Sequence, residues 1–206
     1  MQRVIVILLL SFISVTTLYS SIYASTDVGL GPIEKQSEQT ALFREILDRL
    51  ATRHYHGQKI NDELSERYLT TYIEMLDPLK SYFLQSDIEE FSKWKTKLDD
   101  LARRGDVNPG FIMFNRLRTQ AIAQHQANIE LLESDYEFDF TADETIVLDG
   151  EERDWLENPL QRDEYWRKRI KDSMIRLLIN DKEPEKAREL LIKRFNNQIK
   201  QMEQRD

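Results

Sequence analysis

Three short stretches hold side chains whose types and spacing could do chemistry. His54-Tyr55-His56 is the one dense imidazole site. Two ligands at i and i+2 on a fraying helix end point to different faces, and the chain has no Cys to complete a zinc set. Protonated imidazoles favouring the negative end of a helix dipole account for the pair better. The acidic cluster Asp143, Glu144, Asp149, Glu151, Glu152 and Asp154 could hold a hard cation or supply an acid–base pair. Calcium loops require a fixed spacing around an internal glycine, which "DETIVLDGEERD" lacks, and nothing selects one carboxylate pair for glycosidic chemistry. Solvated surface charge is the better reading.

The third stretch, "MLDPLKSYFLQSDIEEF" at residues 75–91, combines a turn, the adjacent aromatics Tyr82 and Phe83, a third at Phe91, and a run of acids. It is either an active-site loop or a helix junction. Pro78 lacks an amide proton and restricts Asp77, so a helix must stop there. Ser86 and Glu89 have the capping-box spacing, so the next helix is expected to start there, with Asp87 in its first turn. Acids at a helix start need no catalytic role. Tyr82-Phe83-Leu84 then reads as a plug that packs the junction into the core.

No Ser stands in a G-x-S-x-G elbow, so no hydrolytic machinery is visible. The Arg-Gly-Asp tripeptide inside "RRGD", residues 103–106, falls where an amphipathic pattern ends, and Gly105 reads as a helix C-cap. The expectation is that no residue is catalytic, none binds a cofactor and none holds a metal.

The elements that would position these groups are mostly helices. Phe43, Ile46, Leu47 and Leu50 follow a helical rhythm from Ala41, closed by Gly57. Asn61 can cap a second helix with the stripe Leu64, Tyr68, Tyr72, Ile73 and Leu76. A third runs from the Ser86 box through Ile88, Phe91, Trp94, Leu98 and Leu101 to Gly105. Asn108-Pro109, cap then N1 proline, opens a long fourth helix with Phe111, Phe114, Leu117, Ile122, Ile129 and Leu132, continuing to about Tyr136. "YEFDFTADETIVLDGEERDW" breaks the rhythm and predicts two short extended pieces or an ordered loop. Two further helices use Tyr165, Trp166, Ile170, Met174, Leu177 and Leu178, then, after Asp181 and Pro184, Ala187, Leu190, Leu191, Phe195, Ile199 and Met202. The predicted fold is mainly α: an irregular bundle of about six helices with a short extended insertion near 136–150.

Composition sets the class. The chain has 206 residues, 40% hydrophobic and 32% charged, the balance of a globular protein able to bury a core. Residues 1–24 have a basic start, a long apolar stretch and Ala24 as a cleavage position, which reads as a secretory signal peptide. The alternative is a retained membrane anchor, since the uncharged run from Val4 to Ser25 is long enough to span a bilayer. Residues 25–40, with Gly29, Gly31 and Pro32, read as a flexible lead-in to a helical domain at 41–206. The formal net charge of −8 argues against nucleic acid as a partner. Export without cysteine points to a Gram-negative periplasm, or to the inner membrane if the first segment is retained.

Against this background "RYLTTYIEMLDPLKSYFLQSDIEEFSKWKTKLDDLARRGD" resembles the N-terminal helical domain of the tail-specific, or C-terminal processing, proteases of the bacterial periplasm. The family pattern falls on Arg67, Tyr68, Leu69, Leu76, Asp77, Phe83, Leu84, Ser86, Asp87, Ile88 and Phe91, with Pro78 and Glu89 completing the junction. His54-Tyr55, "YEFDFTADETIVLD" and "LLIKRFNNQIKQMEQ" are similar to further segments of the same domain, so the resemblance covers roughly residues 40–204. It implies a part of a serine endopeptidase that continues into a PDZ domain and a Ser-Lys protease core. No position here matches that dyad. The implied role is therefore non-catalytic: a domain or truncated form that helps shape the substrate chamber, with protein substrates or the PDZ and protease core as partners and no cofactor. A stand-alone envelope binding or adaptor module is the alternative.

Overall fold

A computed structural model describes residues 31–34, 40–46, 49 and 60–204, which fall within one compact unit, Gly31–Asp206. The expected signal segment and the His54/His56 site lie outside the described residues. Residues 40–46 are helical. Beyond them the chain forms α1 (Asp62–Leu76), α2 (Gln85–Phe91), a 3-10 turn (Ser92–Trp94), α3 (Leu98–Arg103), α4 (Asn108–Glu133), α5 (Pro159–Ile179) and α6 (Pro184–Glu203). Among the described residues there is no strand, only an isolated parallel bridge between Leu84 and Leu156. No helix of these residues is long and apolar enough to cross a membrane.

The chain begins α1 as its sequence dictates: the Asn61 side chain accepts the Leu64 amide at 3.1 Å, satisfying one orphan donor of the first turn. Its buried face is Ser65, Leu69 and Ile73. Tyr68, expected in the core stripe, is 57% exposed; it stacks on Tyr72 at 6.1 Å along the outer flank of the helix. Tyr72 is half-buried and donates its hydroxyl to the Gly110 carbonyl at 3.1 Å, which holds α1 against the start of α4.

The expected third helix is broken in two. After α2 the backbone changes to i, i+3 bonding, Lys95 donating to Ser92 and Lys97 to Trp94, while the Ser92 hydroxyl donates to the Glu89 carbonyl at 2.6 Å. Trp94 is buried by that tightening and stacks on Phe91. The restart at α3 is supplied from another helix: the Ser65 hydroxyl accepts the Asp99 amide at 2.8 Å and donates to the Asp99 carboxylate at 3.0 Å. At the far end Gly105 has φ +73, the Gly105 amide bonds Ala102 and the Asp106 amide bonds Leu101, a Schellman ending that glycine favours.

Two cap expectations are corrected. The box at Ser86 and Glu89 does not form, both side chains being exposed. The cap lies two residues earlier, at Leu84, because the buried Asp87 carboxylate accepts the Leu84 amide at 2.9 Å and is also held by Arg116 and Gln120 of α4. Asn108 lies inside its helix, and the Asp106 side chain accepts the Asn108 amide at 3.0 Å instead.

α4 is the central element and pairs most extensively with α6. Its buried face is not the expected apolar stripe: Phe111 and Phe114 are half-buried, while Met113, Leu117, Ala121 and Ile122 alternate with buried Arg118, Gln124, His125 and Asn128. Arg118 explains itself. Its guanidinium donates to the Met202 and Glu203 carbonyls, at 2.7 and 3.2 Å, and to Gly31, so it closes the negative end of α6 and ties residues 31–34 down together with Asn115. Two hydrophobic clusters result. Leu69, Ile73, Phe83, Phe91, Trp94, Met113 and Leu117 form one, and Trp166, Ile170, Met174, Leu191 and Phe195 are central to the other. Tyr82 packs against both.

Candidate functional site at the Asp77 turn

The stretch 77–85 receives long-range bonds from α4, from the loop 134–158 and from α5. Pro78 ends α1, and the Lys80 amide closes a four-residue turn on the Asp77 carbonyl at 2.9 Å, with Lys80 at φ +47. The Asp77 side chain organises the backbone just beyond that turn. Almost fully buried, it accepts the backbone amides of Ser81, Tyr82 and Phe83 at 2.9, 2.8 and 2.9 Å. Three amides aimed at one carboxylate make an anion nest whose anion is built in, and a carboxylate so engaged is a structural acceptor rather than a proton shuttle.

The loop 134–158 is ordered against this turn. Arg153 donates to the Leu79 and Lys80 carbonyls, the Lys80 ammonium donates to the Arg153 carbonyl at 2.6 Å, and Gln85 donates to Leu156 at 2.8 Å. Gly150 is buried against the Pro78 carbonyl so closely that a Cβ would stand 2.1 Å from that oxygen. Helix α5 approaches from the other side, with the Trp166 indole N–H donating to the Ser81 carbonyl at 2.9 Å. Phe83 is fully buried, edge-on to Phe91 at 5.4 Å, and Leu84 is half-buried.

Tyr82 points the other way, into the second cluster. Its hydroxyl lies 3.2 Å from Nε2 of His125, whose ring stacks on Phe195 and meets Trp166 edge-on. Burial pushes the Tyr82 phenol up to about 12. Burial, reinforced by the nearby Arg169 charge, pulls the His125 imidazole down to about 4, so it is neutral at ordinary pH.

A cavity of about 350 Å³ opens beside this pair. The turn supplies one wall through Leu76 and Leu79, α5 another through Arg169 and Ser173, and α6 a third through Arg194 and Gln198. That volume is at the small end of ligand pockets.

The acidic cluster takes no part. Asp143, Glu144, Asp149, Glu151, Glu152 and Asp154 are exposed and strung along the loop. Glu144 bonds Arg167 and lies 2.5 Å from the Lys171 ammonium, and these bonds, Arg167 foremost, hold its carboxyl down near 2. The buried Lys171 is thereby engaged in an ion pair with Glu144 and donates to the Ala142 carbonyl at 3.2 Å, which ties the loop to α5. Among the described residues no three His, Asp or Glu side chains gather into a metal-binding group. Of the junction residues singled out in the sequence, Asp77, Phe83, Asp87 and Phe91 come together in the interior, whereas Tyr68, Pro78, Ser86 and Glu89 face outward. Arg118, His125, Arg169 and Arg194 carried no local pattern that distinguishes them from ordinary helix residues.

Fold and site together define a helical module that is built around a junction and carries a small cationic pocket. Residues 46–206 match the family model described as the tail-specific protease N-terminal domain, and the chain belongs to that family. It is 28% identical over 180 residues to the "Tail-specific protease" of Haemophilus influenzae, a match covering 87% of this chain and 25% of the relative. The chain thus spans about a quarter of the length of that relative.

Proposed function

We propose that this chain is the non-catalytic N-terminal part of a tail-specific serine endopeptidase of the Gram-negative periplasm, and that it helps to shape the chamber in which protein substrates are processed. The family match over residues 46–206 carries this reading. Two features of the fold support it. The arrangement around Asp77 is structural throughout, as a supporting domain requires. An apolar flank also stays uncovered: on α1, Tyr68, Tyr72 and Met75 follow i, i+4, i+7, with Met75 72% exposed, and Ile112 lies exposed at the start of α4, near the Tyr72 contact. A stripe of that kind is suited to packing against another domain.

The test is a chimera. The matching N-terminal quarter of the H. influenzae relative is replaced by this chain, and cleavage of a tagged unfolded protein is followed. Cleavage by the chimera, none by this chain alone, and slow cleavage by the relative lacking the segment are the expected results. A folded chimera no better than the truncated relative would overturn the reading. So would turnover by the isolated chain that persists after contaminating proteases are inactivated.

A further inference from the structure

We infer that the cavity between the Asp77 turn and helices α5 and α6 is a binding site for a carboxylate borne on a peptide beside an apolar side chain. The first observation is charge. Along α5, Arg167, Lys168, Lys171 and Arg176 each have a carboxylate partner. Arg169 and Arg194, the two guanidinium groups that line the cavity, form no ion pair among the described residues. Arg169 is instead held against the Trp166 ring, 4.6 Å from its centroid. In a chain of net charge −8, two cations left without acids on one cavity are a local feature and not a consequence of overall composition.

The second observation is the rest of the wall. Asp77 also lines the cavity, but three backbone amides engage its carboxylate, and it pairs with neither arginine. Two guanidinium charges against one saturated carboxylate leave the site attractive to an anion. Guanidinium groups suit carboxylates because their planar donor pairs match the two oxygens. Leu76, Leu79, Ile170, Leu191 and Phe195 make the remaining surface apolar, which a bare inorganic anion could not use. Charge and apolar wall together favour a carboxylate carried beside an apolar side chain, as a peptide presents it. Neither feature depends on proteolysis.

The experiment uses the full chain labelled with nitrogen-15, following the Trp166 indole signal and measuring affinity by calorimetry. The probes are Ac-Leu-Asp-NH2, Ac-Leu-Leu with a free C-terminus, the uncharged Ac-Leu-Asn-NH2 and inorganic phosphate. Saturable binding of one or both carboxylate peptides, with a shifted Trp166 indole, is expected, and comparison of the two distinguishes a side-chain from a main-chain carboxylate. Arg194→Gln, at an exposed position, should leave thermal stability unchanged and weaken binding about tenfold, as loss of one charge-assisted contact requires. Arg169→Gln combined with it should abolish binding, and Arg176→Gln should change nothing. The inference is overturned by equal affinity for the Asn peptide, by phosphate binding as tightly as the carboxylate peptides, by absence of binding, or by Arg194→Gln retaining native affinity.

Discussion

The Asp77 carboxylate and the Phe83 amide are joined at 2.9 Å across six residues of chain, and the same carboxylate holds the amides of Ser81 and Tyr82. One side chain thereby fixes the direction in which two consecutive aromatics leave the backbone, Phe83 into one cluster and Tyr82 toward the other. Asp77→Ala leaves three amides without this acceptor, two of them on buried residues, and should destabilise the chain by about 3–5 kcal/mol. Asp77→Asn keeps one acceptor oxygen and should cost about 1–3 kcal/mol. Urea unfolding gives the measure: a lowered midpoint at unchanged slope is expected, and a native midpoint for Asp77→Ala would show that the nest is dispensable.

Legibility in the sequence depends on which bonds are local. Asn61, Pro78 and Gly105 act on their own or adjacent turns, so their types announced two helix ends and one start. The 3.6-residue rhythm likewise marked α1, α5 and α6, because each buries one face against a single core. Ser65 and Asp99 meet across 34 residues, and Arg118 reaches Met202 across 84. Neither pair leaves a trace in local pattern, which is why the break between α2 and α3 and the polar seam of α4 were unreadable. Asp87 shows an intermediate case. The stretch around it predicted a helix start, but Arg116 and Gln120 from α4 stabilise the carboxylate where the cap falls two residues early, at Leu84. The cavity was invisible for the same reason: Arg169 and Arg194 stand on two helices and acquire meaning only beside Leu79.

Gly150 offers a cleaner probe of how the loop 134–158 docks. An added Cβ would stand 2.1 Å from the Pro78 carbonyl oxygen and 3.1 Å from the Leu79 Cα, both backbone atoms that cannot rotate away. Gly150→Ala must push the loop off the turn and should cost about 1–3 kcal/mol, the usual range for overpacking. Gly105→Ala meets chiefly the flexible Arg44 side chain, and its cost is set by φ +73, about 1 kcal/mol. Limited proteolysis separates them: cleavage within 134–158 should rise for Gly150→Ala only, and equal loop protection in both variants would contradict the docking.

Arg118 is buried and joins α4 to the last turn of α6 and to Gly31. Arg118→Met leaves those carbonyls without their charged donor and should cost about 2–4 kcal/mol, whereas Arg118→Lys keeps the charge but not the fork and should lie between. Amide hydrogen exchange gives the location. Faster exchange confined to the end of α6 is expected, and uniform acceleration across all helices would mean that Arg118 serves the core generally rather than this junction.

His125 makes stability depend on pH in a defined window. Its folded imidazole titrates near 4, held down by burial and then by the Arg169 charge. In the unfolded chain the value returns to about 6.5. Between those values the unfolded state binds a proton that the folded state refuses, so stability falls as pH drops from about 6.5 to about 4 and has no slope from this residue above that. The full loss is on the order of 3 kcal/mol. Glu144 acts with the same sign but lower, its carboxyl held near 2 in the folded state, so its stabilisation disappears only below the ordinary carboxylate range. The groups facing His125 are the Arg169 guanidinium and the Tyr82 hydroxyl, whose phenol burial pushes up to about 12, far above this window. His125→Gln should therefore flatten the stability profile between pH 5 and 6.5, roughly the upper half of that window, while leaving the steeper fall at lower pH. Denaturant midpoints taken across that range decide it, since an unflattened slope in the variant would assign the dependence to another group.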